Sequence, residues 1–203
     1  MQQQSVKSGY ETGLMLSYIP AETDGLVIPA TQQANLGRGA ATVVLNPLAD
    51  IEPLSCFTPQ QFHKLISHLV SLTPTPRTLV PGHTQLQKDA PTHSEMTTTV
   101  LGKRSLRRIE VTTIGADLVE LLAHLDPTEP CIQLDFSMSD EHIDWACELA
   151  TQHNFIFCAW MPGYRRHDVL RLQLLDPHLT DFTPAVVNPT GQYLLDVMQS
   201  QLK

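Results

Sequence analysis

Apolar positions cluster most clearly near the end of the chain, where two runs, residues 155–160 and 169–175, flank a break at Pro162 and Gly163 and the charged cluster Arg165, Arg166, His167 and Asp168. Continuous apolar runs of this length, bounded by turn residues, predict two β-strands joined by a turn. Because both runs should be buried, the charged tip is expected to project into water and to keep the hairpin soluble. Upstream, "RRIEVTTIG" and "CIQLDFSM" read as strands, and "ADLVELLAHL" between them as a helix. The stretch "SDEHIDWACELATQH" predicts a helix capped by Ser139, with Ile143, Ala146, Cys147 and Ala150 on its inner side. A last helix is expected over "TGQYLLDVMQSQL". Ile132, Leu134, Phe136, Phe155, Phe157, Leu170 and Leu172 should form one core.

The first half is patterned less regularly. "YETGLMLSYIPA" and "GRGAATVVLNPL" predict strands, and "TPQQFHKLISHLVSL" a helix, with Thr58 as cap, Pro59 in the first turn and Phe62, Leu65, Ile66, Leu69 and Leu72 on one face. Residues 73–98, rich in Pro, Thr and His, read as an irregular connection and an internal boundary. That divides the chain into residues 1–98 and 99–203, two units able to pack as one body. Strands alternating with helices imply an α/β fold with a partly parallel, mixed sheet, and the closing hairpin adds antiparallel strands at one edge.

Composition narrows the class. With 203 residues, 42% hydrophobic and 17% charged, the chain has the profile of a globular protein. A net charge of -8 argues against a nucleic-acid partner, since only Lys103, Arg104, Arg107 and Arg108 concentrate positive charge. No apolar run reaches the roughly 20 residues needed to cross a bilayer, and "MQQQSVKSGYETG" lacks a signal-peptide core, so no membrane contact and a cytoplasmic location are expected. Cys56, Cys131, Cys147 and Cys158 are scattered without a C-x-x-C pair and should be buried thiols.

Strand, helix, strand, helix, strand, strand over residues 105–175 resembles the C-terminal half of the GCN5-related N-acetyltransferase fold. More narrowly, "ELATQHNFIFCAWMPGYRRHDVLRLQLL" is similar to bacterial acetyltransferase-like domains fused to anti-sigma-factor-type ATPase modules, through Phe155, Phe157, Ala159, Pro162, Asp168, Leu170, Leu172 and Gln173. "ETGLMLSYIPA" resembles the matching strand of a preceding unit, so the chain reads as a degenerate tandem whose first unit is incomplete. An edge left by that incomplete unit would be paired by the second half or by another chain, and a homodimer or an ATPase-type module is the expected partner.

The resemblance implies an acyl-CoA-dependent N-acyltransferase that uses acetyl-CoA or another acyl-CoA and acts on a small-molecule amine. The family cradles the cofactor pyrophosphate on backbone N–H groups at a glycine-rich helix start. The matching junction, "VTTIGADL", offers only Thr113, Gly115 and Ala116. The pantetheine arm also needs a gap between the strands at 105–113 and 131–136. Relatives carry a Tyr in the helix before the last hairpin to protonate the CoA thiolate; here that position is Ala150, and Asn154 stands where they have glycine, at a helix end that tolerates positive φ. Glu110 and Asp135, near the carboxyl ends of the parallel strands, are the candidate general bases. The alternation by itself fits better with Glu110 on the solvated face of an edge strand and Asp135 assisting the following turn. A non-catalytic binding or regulatory module on this scaffold, or an interaction and dimerisation domain, are the alternatives. Gly37 and Gly39 precede a strand and read as a turn; His83, His93 and Asp89 match no ligand spacing; and His63 and His68, five apart on a helix, do not align two ligands. No metal is therefore expected.

Overall fold

Ile132, Leu134 and Phe136 alternate with Cys131, Gln133, Asp135 and Ser137 along one strand, and all seven are buried, so this strand must lie at the centre of a sheet covered on both faces. The computed structural model describes residues 12–18, 38–44, 53–72, 76–101, 106–126, 129, 131–164, 167–175 and 189–201. Among them run strands β1 (Thr12–Tyr18), β2 (Arg38–Val44), β3 (Leu54–Thr58), β4 (Arg77–Pro81), β5 (Glu95–Leu101), β6 (Leu106–Thr113), β7 (Cys131–Ser137), β8 (Ile156–Met161) and β9 (Val169–Leu175). The helices are α1 (His63–Ser71), α2 (Leu118–Ala123), α3 (Ile143–Gln152) and α4 (Pro189–Gln201).

The main sheet is five-stranded and mixed, in the order β5-β6-β7-β9-β8. β6 and β7 are parallel and joined through α2, while β9 inserts between β7 and β8 and runs antiparallel to both. The fold is therefore α/β in its element order with a mixed sheet. β1 and β2 form an antiparallel pair that lies against β8, and β3 and β4 form a separate parallel pair. α4 packs on β8, where the Gln201 side chain accepts the Phe157 amide. Of the seven expected core residues all are buried, in one cluster that also takes in Phe62 and Ile66 from the first half.

Several expectations are corrected. The stretch read as an irregular connection contains β4 and most of β5, and the boundary at residue 98 falls inside β5. Thr and Pro there mark strands at sheet edges rather than a linker: β5 is an edge strand exposed over residues 95–100. Ser139 does not cap α3. Its hydroxyl meets Ser137 Oγ at 2.6 Å, while Asp140 takes the His142 amide at 2.8 Å in a tight local turn, so the helix starts only at Ile143. Thr58 does not cap α1 either. Its hydroxyl meets Val80 O and His63 Nδ1, the helix is entered through a 3-10 turn at Gln60–Phe62, and the Gln60 amide is satisfied by Asp144 of α3 at 2.8 Å.

Asn154 does end α3 in the left-handed region, with φ 64. The Phe155 amide returns to Ala150 O and the Asn154 amide to Thr151 O, the paired bonds of a Schellman motif. The hairpin tip is not wholly solvated: Asp168 is only 1% exposed, whereas Arg165 and Arg166 lie outside the described residues. All four cysteines are buried and free of disulfides. Burial pushes the Cys158 thiol up to about 12, and raises Cys131 and Cys147 as well, so these three are held as inert thiols.

Candidate functional site

Two parallel strands that end side by side leave a crevice beyond their carboxyl ends, the usual ligand position in open α/β sheets. β6 and β7 do so here. Past Thr113 and Ser137 an open cleft of about 380 Å³ lies between Thr112 and Thr113 on one side and Ser139, Asp140, Glu141 and His142 on the other, with Phe57 and Pro91 as further walls. Its polar wall is the turn that delays α3. Asp140 organises that turn: one carboxylate oxygen accepts the His142 amide and lies 3.2 Å from His142 Nδ1, and the other accepts the Ile114 amide at 2.7 Å.

Thr113 lines this cleft, and its hydroxyl donates to Glu95 Oε2 at 2.9 Å. Gly115 and Ala116 do not open onto it. The Gly115 amide donates to Ser94 Oγ at 2.9 Å, the Ala116 amide to Pro91 O at 2.9 Å and the Asp117 amide to Thr92 O at 3.2 Å. With Ile114 bound to Asp140, four successive N–H groups at the start of α2 are satisfied by the chain's own atoms. The segment from Pro91 to Ser94 lies so close that a Cβ on Gly115 would come within 2.4 Å of the His93 carbonyl carbon. Glycine is required there for contact between two backbones. The Ser94 hydroxyl and amide both donate to Asp117 Oδ1, at 2.7 and 2.8 Å. Desolvation pushes the Asp117 carboxyl up, but the two Ser94 donors and His93 together leave it below its ordinary value.

No family model, curated protein or solved structure gave a significant match to this chain.

Glu110 and Asp135 are direct neighbours across the β6–β7 register and share a small cavity of about 40 Å³ with Tyr164 and His167, apart from Gly115 and Ala116. Asp135 is 3% exposed, and both its oxygens are taken by Arg171 of β9, at 2.5 Å from Nε and 2.6 Å from Nη2. Arg108 Nε stands 4.0 Å from the same carboxylate and donates to Gln133 Oε1. The five sequence-derived candidates thus fall into three places: Thr113 at the cleft, Glu110 with Asp135 at the smaller cavity, and Gly115 with Ala116 beneath the 91–94 segment.

Sequence reasoning passed over the polar wall itself. By sequence, His142 and Glu141 fit ordinary first-turn residues of an amphipathic helix, and His83 shares with His93 and Asp89 a segment that matches no ligand spacing. His93 is instead exposed and 3.3 Å from Asp117, while His83 is carried to the α3 turn, its amide bonded to Glu141 O at 2.6 Å. Only the pairing of β3 with β4 brings residues 83 and 142 together. No described helix is long and apolar enough to cross a membrane.

Proposed function

We propose that this protein is a non-catalytic binding or regulatory module on an acetyltransferase-like scaffold, rather than a working acyl-CoA-dependent N-acyltransferase. The scaffold half of this reading is supported by the order β6-α2-β7-α3-β8-β9 over the stretch whose sequence resembles that family. The observation that carries the non-catalytic half is the commitment of the amides of residues 114–117 to Asp140, Ser94, Pro91 and Thr92. An anion cradle needs donors free to point at the ligand, and α2, six residues long, brings little dipole to replace them.

Two further features favour it. β6 and β7 stay paired in register from Arg107–Ile132 to Val111–Phe136, which confines any opening between them to the last residues, Thr112 and Thr113, beside the cleft. Asp135 is buried with both carboxylate oxygens bonded to Arg171, so the group that a general base would present to a substrate is occupied by a structural ion pair. The cleft beside Thr113 is then a binding site for a different, polar ligand. Such a module would act in the cytoplasm, with an ATPase-type module or a second copy of the chain as its docking partner.

Isothermal titration with acetyl-CoA and longer acyl-CoAs tests the reading. No heat up to millimolar ligand is the expected result. Saturable binding at micromolar ligand, with acyl transfer to an amine, would restore the acyltransferase reading.

A further inference from the structure

At the end of the cleft, one ring nitrogen each of His83 and His142 and a carboxylate oxygen of Glu141 all lie within 4.8 Å of one another. His142 is 7% exposed, and its two nitrogens differ sharply. Nδ1 faces Asp140 Oδ1 at 3.2 Å, while Nε2 is buried with no hydrogen-bond partner among the described residues. His83 Nδ1 is likewise buried without a partner, and the two imidazoles meet edge to face with centroids 5.8 Å apart. A buried ring nitrogen gives up its hydrogen bond to water and needs a replacement, so one unpartnered nitrogen on each of two neighbouring imidazoles requires an explanation.

We infer that His83, His142 and Glu141 form a binding site for a divalent transition-metal ion of the zinc type. Two imidazoles and a carboxylate are a donor set such ions accept, and three protein ligands beside an open cleft leave a coordination position facing solvent or a ligand. Asp140 does for His142 what outer carboxylates do for ligating histidines: by accepting from Nδ1–H it selects the tautomer with the lone pair on Nε2. His83 is held by backbone, with its amide on Glu141 O and its carbonyl accepting the Trp145 amide at 3.0 Å. Gly82 makes that approach possible, since a Cβ there would stand 3.0 Å from the Asp144 amide nitrogen. Bond lengths of about 2.0–2.2 Å put tetrahedral ligands roughly 3.4 Å apart, so closing the site needs side-chain movement of about 1 Å. His83 and Glu141 are partly exposed and free to make it, at 40% and 49% side-chain exposure. The inference goes beyond the proposed function and stands whether or not acyl-CoA binds.

The test uses the whole chain, stripped with a chelator and titrated with zinc(II), with cobalt(II) as a spectroscopic probe. One ion per chain at micromolar affinity or tighter is expected, together with visible cobalt d–d bands typical of low coordination number. Glu141→Gln, at an exposed position that leaves the fold intact, should weaken binding about tenfold or more. His83→Ala and His142→Ala should abolish it, and His93→Ala should change nothing. Absence of binding by the folded wild-type chain at millimolar zinc(II) would overturn the inference. So would zinc affinity and cobalt bands that survive Glu141→Gln and both histidine variants unchanged.

Discussion

Arg77 of β4 and Asp168 at the start of β9 form a buried, two-pronged ion pair, Nε to Oδ2 at 2.9 Å and Nη2 to Oδ1 at 3.1 Å. The same carboxylate also accepts from Trp160 Nε1, the Gly163 amide and Cys56 Sγ. One aspartate thereby ties the β3–β4 unit to the closing hairpin, joining residues 91 positions apart.

Breaking a buried pair from one side strands the other charge and costs about 3–5 kcal/mol. Asp168→Asn should therefore lower the urea midpoint strongly at unchanged slope. Arg77→Met combined with Asp168→Asn should cost less than the two single changes added together. Additive losses would mean that the pair is not coupled.

Gly115→Ala places a methyl against the backbone of His93 and Ser94, neither of which can rotate away. A loss of roughly 1–3 kcal/mol is expected, as for overpacking elsewhere. Faster hydrogen exchange at the Ala116 and Asp117 amides should accompany it, because the 91–94 segment must lift.

At Asn154 the left-handed conformation favours glycine over any other residue. Asn154→Gly should hold or raise the thermal midpoint, while Asn154→Ala should lower stability by about 1 kcal/mol. Equal midpoints for the two variants would exclude a conformational role.

Leu172 is fully buried between β7 and β8, opposite Leu134 and Phe157. Leu172→Ala should cost about 2–5 kcal/mol in chemical denaturation. An unchanged curve would contradict its place in the core.

Asp117 sets a pH dependence. Its folded carboxyl titrates below its ordinary value of 3.8, so the folded state binds this proton less readily than the unfolded chain. The contribution is fully present above about pH 4 and is lost as pH falls through the lower, folded value. Asp117→Asn should flatten the acid limb of the stability profile below pH 4 and leave the Asp168 pair untouched.

Periodicity and turn chemistry determined much of this protein: the strands at β6, β7, β8 and β9, the helices between them, the left-handed Asn154 and the seven core residues are all legible in local pattern, because burial imposes periods of two or 3.6 on the chain. β4 and β5 were not legible. Partly exposed, polar edge strands carry no apolar run, and their existence depends on neighbours already in place. Asp168 looked like one charge among four at a hairpin tip until β4 placed Arg77 beside it. The junction at Gly115 looked like half a cofactor cradle, and tertiary structure decided that the 91–94 segment fills it. His83 and His142 stand 59 positions apart by their numbers, and no spacing rule reaches that far. Only the parallel pairing of β3 with β4, which delivers His83 to the turn before α3, sets two imidazoles and a carboxylate around one point.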